Sequence, residues 1–327
     1  NPVLAMNLTA LITCVLCGTG AYLLARRLHI SIAGAFICGL IFAFAPPRFF
    51  RLGQLHLTAV QWIPFSLAFL HSYLERGTRR DLLLAVGCFS LQALSSGHGA
   101  AYLFIATVTL LAWHAATGEW HLRRRVRDFG VAGAYLLAPA VWVMLPYRIA
   151  QDEAGLRRSY LLNAMPGIES FLASPSRFHQ FLETRLWGRF DREAEAFLFP
   201  GILVVLLAAV AVIMQPRRRP GGSAAAFYAV LAVLSTLMFV AGPLELWRYV
   251  YWLPGFNFIR VPSRFIILTM LALSVLAAIG FDRLTVAASS RLRAVCLVML
   301  SVFLLGEYWS YPFTGVPYQV NVPAIDR

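Results

Sequence analysis

Apolar stretches of roughly 17–25 residues recur along the whole chain, and each is long enough to cross a hydrocarbon core of about 30 Å as a helix. That recurrence excludes an ordinary soluble domain. Of the 327 residues, 59% are hydrophobic and only 13% charged, and the mean hydropathy is +0.69, whereas soluble domains carry about a quarter of charged residues. A backbone in lipid must satisfy its own polar groups, which leaves helices or closed barrels as spanning elements. The apolar runs are continuous and do not alternate, so the spans are helical. The sequence predicts an all-α, polytopic transmembrane bundle of about ten spans, at 3–25, 30–46, 56–74, 82–95, 99–117, 128–147, 198–214, 223–241, 264–281 and 292–310.

Charge then orients the chain. Every one of the 28 basic residues is arginine, against 15 acidic ones, for a net charge of +13. These arginines stand in short clusters between apolar runs, with no soluble basic face, so nucleic acid is excluded as a partner. The clusters at Arg26-Arg27, 75–80, 121–128, 216–220 and 282–293 fall on every second connection, and the positive-inside rule makes those connections cytoplasmic. The connections 47–55, 96–98, 148–197 and 242–263, and the segment 311–327, are then external. The chain reads as one transmembrane domain, 1–327, with 148–197 a long external loop and 216–222 a cytoplasmic linker. It opens at Asn1 without a start methionine and closes at Arg327 in an extended segment, so it is expected to be a fragment.

Several arginines on the outer side have no topological reason to be there, and two of three outer constellations hold some of them. In "FAPPRFFRLGQLHLTAVQWIP", residues 44–64, Arg48 and Arg51 are three apart after a Pro-Pro helix stop, and His56, Gln61 and Trp62 follow. Guanidinium forks suit phosphate oxygens, and Gln, His and Trp suit hydroxyls and sugar faces. The same residues also fit an interfacial belt with snorkelling arginines. In "SSGHG", 95–99, two glycines bracket His98 in a tight turn that would present it outward. The third constellation is Glu245, Trp247, Arg248, Tyr249, Tyr251 and Trp252, followed by "PGFNFIRVPSRF" at 254–265, where Arg260 and Arg264 stand against the start of an apolar run. A charge near the bilayer centre costs roughly 2.5–3.5 kcal/mol on insertion scales, so such arginines call for a partner. Glu307 and a lipid phosphate are the two candidates.

Other features read as packing. Cys14, Cys17, Cys38, Cys88 and Cys296 fall inside apolar runs, and the Cys14-x-x-Cys17 spacing lacks His or Cys partners nearby. No Walker loop, zinc-protease motif, nucleophile elbow or dinucleotide fingerprint occurs.

The stretches 1–8, 34–70, 91–100 and 254–265, with their R-x-P-x-R-F approach to a late span and H-L-x-x-x-Q-W-x-P third span, resemble the YfhO-like bacterial multi-pass membrane proteins of the GT-C glycosyltransferase superfamily. The resemblance implies a bacterial inner-membrane enzyme that transfers a sugar from a polyprenyl-phosphate donor to an external glycan or lipid acceptor. Its partners would be membrane lipid, that lipid-linked sugar and the acceptor. Arg260, Arg264, Arg48, Arg51, His56, Gln61, Trp62, His98 and Trp252 would bind substrate. No cofactor is implied beyond an optional divalent cation. In such enzymes a carboxylate of the first external loop acts as base or orients the acceptor. The chain is expected to start after that loop, with the base upstream of Asn1, so the chain alone is expected to lack it, with the adjacent Asp152 and Glu153 as the internal candidates. A non-enzymatic transporter or flippase of lipid or polysaccharide is the alternative, although inverted repeats and mid-bilayer ionisable groups are not evident.

Overall fold

In the computed structural model, residues 1–117, 122–154, 165–187, 197–214, 223–243, 245–253, 256, 259 and 261–311 are described. Among them there is no strand, and each of the ten predicted segments carries a helix. The elements are α1 (Pro2–Arg27), α2 (Ile32–Phe44), α3 (Pro46–Phe49), α4 (Leu55–Thr58), α5 (Trp62–Arg76), α6 (Arg79–Ser95), α7 (Gly97–Ala116) and α8 (Leu122–Glu153). There follow α9 (Arg177–Trp187), α10 (Ile202–Ile213), α11 (Ala224–Leu237), α12 (Trp247–Val250), α13 (Ile266–Leu284) and α14 (Ser290–Tyr308). Four helical stretches are long and apolar enough to cross a membrane: Val3–Arg27, Ile32–Phe49, Gly97–Ala116 and Pro262–Leu284. The chain is an all-α helical membrane protein.

Local chemistry sets the helix ends. The Asn1 carboxamide accepts from the amides of Val3 and Leu4 at 3.0 and 3.4 Å, and Pro2 needs no intrahelical partner for its nitrogen. Arg26 and Arg27 close α1, where cations complement the helix dipole. His29 takes a left-handed φ of 61°, and Ser31 caps α2 by accepting from Gly34 N at 3.1 Å. At the end of α5, Gly77 supplies the left-handed residue, φ 71°, that terminates helices of this kind.

Two predicted boundaries are corrected. The predicted span 56–74 is broken, with α4 ending at Thr58 and α5 beginning at Trp62. Pro64 explains the break, because its nitrogen cannot donate to the Val60 carbonyl and its ring collides there. The predicted loop 148–197 begins later than expected, since α8 stays helical to Glu153.

The centre of the bundle is α13, buried along nearly all of Ile266–Phe281 and packed against α10, α11 and α2. At Gly280 a Cβ would collide with the Leu207 carbonyl oxygen of α10, so only glycine allows that approach. Likewise a Cβ on Gly39 would lie 2.7 Å from the Gly18 carbonyl oxygen, where α1 crosses α2. Large apolar side chains such as Leu11, Val15, Phe36, Val298 and Phe303 remain exposed, as lipid-facing positions are.

Many of the described arginines of the sequence clusters gather at one end of the bundle. There, Asp282 accepts from Ser31 N at 2.7 Å, Ser31 Oγ at 2.5 Å and Arg293 Nη2 at 2.6 Å. His29 meets Glu75 at 3.2 Å, Tyr73 meets Asp128 at 3.2 Å, and Arg283 donates to the Ala211 carbonyl. Residues 216–222 and 312–327 lie outside the described residues.

Candidate functional site

The opposite end joins the three constellations through hydrogen bonds. Ser96 separates α6 from α7 and caps α7, its Oγ accepting from Gly99 N at 3.1 Å. The same hydroxyl donates to the His56 carbonyl at 2.5 Å. Gln92, one turn earlier, donates to the Ala59 carbonyl at 2.8 Å, and a Cβ on Gly99 would overlap its amide. The "SSGHG" turn is thus bolted to the break between α4 and α5. The Ser96 and Gln92 side chains satisfy carbonyls at the break, as irregular buried backbone requires.

His98 is thereby held half-buried, with its Nε2 3.3 Å from Arg264 Nη1 and its ring 5.8 Å from that of His56. The expected outward presentation of His98 is corrected: tethering of the turn swings it against the approach to α13. That approach is a 3₁₀ turn, Pro262–Phe265, anchored by Phe265, which packs against Tyr102 at 4.8 Å and Trp247 at 5.6 Å.

Arg48 and Arg51 have different duties. Arg48 is fully buried, with Nη1 donating to the Ala43 carbonyl at 2.6 Å and Nη2 to the Thr58 carbonyl at 3.4 Å. Nη1 also touches Cys14 Sγ at 3.7 Å, and the guanidinium lies 5.9 Å from the centre of the Phe42 ring. It therefore ties together the broken ends of α2 and α4. A phosphate role for Arg48 would require this tie to open. Arg51 donates to the Pro47 carbonyl at 2.6 Å.

Tyr102 was not among the expected site residues. The available signal was its position four residues after His98 on one helix, which puts both on the same face. Its hydroxyl, like Ser263 Oγ, Gln92 Oε1 and Gln61 Oε1, is buried without a hydrogen-bond partner among the described residues, and such atoms are rare enough to demand a reason.

The remaining expected residues lie apart or out of view. Trp62 is half-buried against Phe65 at 5.9 Å. Trp252 is 73% exposed, beside Tyr251 at 5.1 Å. Asp152 and Glu153 are exposed at the end of α8. Arg260 lies outside the described residues. Glu307, a suggested partner of the late arginines, is corrected: it accepts from Ile202 N and from Leu203 N at 3.3 Å, capping α10. It also faces His179 Nε2 at 3.2 Å, off hydrogen-bond alignment, and His179 Nδ1 in turn meets Ser176 Oγ at 2.6 Å. The donors at the start of α10 outbid a distant cation, because they are fixed one residue apart on the neighbouring chain segment.

Among the described residues no group of three or more His, Cys, Asp or Glu side chains is placed to hold a metal ion. A groove of about 890 Å³ runs between α1 and α2, from Tyr22 and Phe36 to Phe49, Leu52 and Gly53, with mostly apolar walls. No protein-family model matches the chain, nor does any curated protein or solved structure.

Proposed function

We propose that this chain is part of a multi-pass membrane glycosyltransferase of the YfhO-like, GT-C type, resident in a bacterial inner membrane, with its ten helical segments spanning. The arginine clusters of Arg26, Arg27, Arg283 and Arg293 would face the cytoplasm, and the end bearing His98 would face outward. The observation that carries the reading is the His98–Arg264 contact, with Tyr102 one helical turn after His98 and packed against Phe265, a basic and hydroxylic cluster at the end of an apolar bundle. Such a cluster suits a lipid-borne phosphate, which brings negative charge and acceptor oxygens together. The groove between α1 and α2 ends at the 49–53 loop that carries Arg51, an apolar path beside the polar one.

In the reaction, the acceptor hydroxyl oxygen attacks the anomeric carbon of the polyprenyl-phosphate sugar. A new C–O bond forms, the bond from that carbon to the phosphate oxygen breaks, and the phosphate departs with the electron pair. The acceptor's proton passes to a carboxylate base. Arg264, with Arg51 and Arg260, stabilises the charge that grows on the leaving phosphate. Within the chain, Asp152 and Glu153 are the candidates for that base.

The test is sugar transfer from a polyprenyl-phosphate sugar by protein reconstituted in vesicles. Arg264→Ala is expected to lower turnover about 100-fold while the protein still inserts. Unchanged turnover would leave Arg264 as a headgroup anchor only, and lipid translocation without transfer would make the protein a flippase.

A further inference from the structure

We propose that the groove between α1 and α2 holds one acyl chain of a glycerophospholipid, whose ester carbonyl accepts a hydrogen bond from the Asn7 carboxamide. The site needs none of the arginines proposed for sugar transfer.

The groove is built along one face of α1. Asn7, Leu11, Cys14, Gly18 and Tyr22 recur in its wall at the spacing of a single helix face. Its floor is small, made by Cys14, Gly18, Gly39 and Ala43, because the two helices close on each other there: a Cβ on Gly18 would touch Ala43 Cβ and the Gly39 carbonyl oxygen, both at 3.4 Å. Its rims are the exposed Leu11, Val15 and Phe36, so it opens towards lipid. From Asn7 to Tyr22 the helix rises roughly 22 Å. Spread over that length, a volume of about 890 Å³ gives a mean width of about 7 Å, too narrow for a helix of roughly 10–12 Å with its side chains. A single alkyl chain fits.

Charge decides the class of lipid. None of the residues lining the groove is charged, whereas a phosphate attached directly to the chain's end would call for a cation. The first polar group of the ligand is therefore neutral. Asn7 offers two N–H donors and one acceptor oxygen, and its carboxamide makes no hydrogen bond among the described residues. The span Val3–Arg27 has 25 residues, about 37 Å against a hydrocarbon core of about 30 Å, and Asn7 stands roughly 6 Å along it. Shared between the two ends, the excess sets Asn7 just inside the hydrocarbon boundary. That is the level of the ester groups that join a glycerophospholipid's chains to its head, with the phosphate further out, beyond the groove. A few polar groups that orient a ligand in an otherwise apolar cleft are the usual design of such sites.

The experiment takes the full chain from mild detergent into native mass spectrometry and titrates it with phosphatidylglycerol and with its ether-linked analogue, which lacks the ester carbonyls. The wild type is expected to keep one phospholipid per chain and to bind the ester lipid about five-fold more tightly than the ether, as one hydrogen bond does. Asn7→Leu should bind both alike, and Ala10→Phe, which sets a ring in the groove, should release the lipid. Ester and ether bound alike by the wild type, or a phospholipid retained by Ala10→Phe, overturns the proposal. A wild-type chain that keeps a polyprenyl phosphate, a second copy of itself or no lipid in place of the phospholipid overturns it equally. Should a variant fail to accumulate, the comparison of ester with ether in the wild type still decides.

Discussion

His98 Nε2 stands 3.3 Å from Arg264 Nη1, and because a guanidinium can only donate, that imidazole nitrogen carries its lone pair. The neutral ring therefore has its proton on Nδ1. Nitrogen NMR of protein labelled in its histidines should show one ring in this tautomer, and Arg264→Gln should abolish that preference. His98→Gln, which keeps an acceptor, should retain more phosphate binding than His98→Ala. Equal loss in both variants would leave His98 as packing alone.

Arg48 has a structural task, tying the end of α2 to the end of α4. Arg48→Met strips donors from the Ala43 and Thr58 carbonyls and leaves both buried, at about 1–3 kcal/mol each. A loss of roughly 2–5 kcal/mol in unfolding stability is expected, measured by denaturation in mixed micelles. A stable Arg48→Met protein would release this residue for ligand binding.

Glycines at helix crossings differ in what they tolerate. At Gly280 an added methyl meets the backbone carbonyl of Leu207, whereas at Gly99 it meets the end of the Gln92 side chain. Gly280→Ala should destabilise by about 1–3 kcal/mol, and Gly99→Ala by less, because Gln92 can turn aside. Thermal unfolding of the two variants decides, and the reverse order would show α10 to be the more yielding neighbour.

Glu307 closes α10 by accepting from Ile202 and Leu203. Glu307→Ala should cost about 1–2 kcal/mol, as loss of a cap does, and speed hydrogen exchange at those two amides. Glu307→Gln, which keeps one acceptor oxygen, should fall between. Exchange that is slow in both variants would contradict the capping role.

The orientation has its own measurement. In a background free of native cysteines, Gly53→Cys and Thr78→Cys place thiols at exposed positions on opposite ends. An impermeant reagent applied to intact cells should label the first and spare the second. Labelling of Thr78→Cys alone would invert the topology.

Hydropathy and proline placement are enough to locate a helix at each of the ten predicted segments, because helix formation in an apolar medium depends on residues adjacent in the chain. The same local logic yields the stop at Pro46 and the turn that opens at Pro262. Even the break before Trp62 has a visible cause in Pro64, although the apolar run around it conceals the interruption. The site was legible only as three separate stretches. The contact between His98 and Arg264 joins residues 166 apart, and Ser96 reaches the His56 carbonyl across 40. Which helix lies beside which is decided by how side chains interlock around α13, a property of pairs distant in sequence that no window of neighbouring residues contains. For that reason the arginines could be recognised as needing partners, while only tertiary packing turned Arg48 to the ends of two helices, set Arg264 against His98, and gave Glu307 to α10.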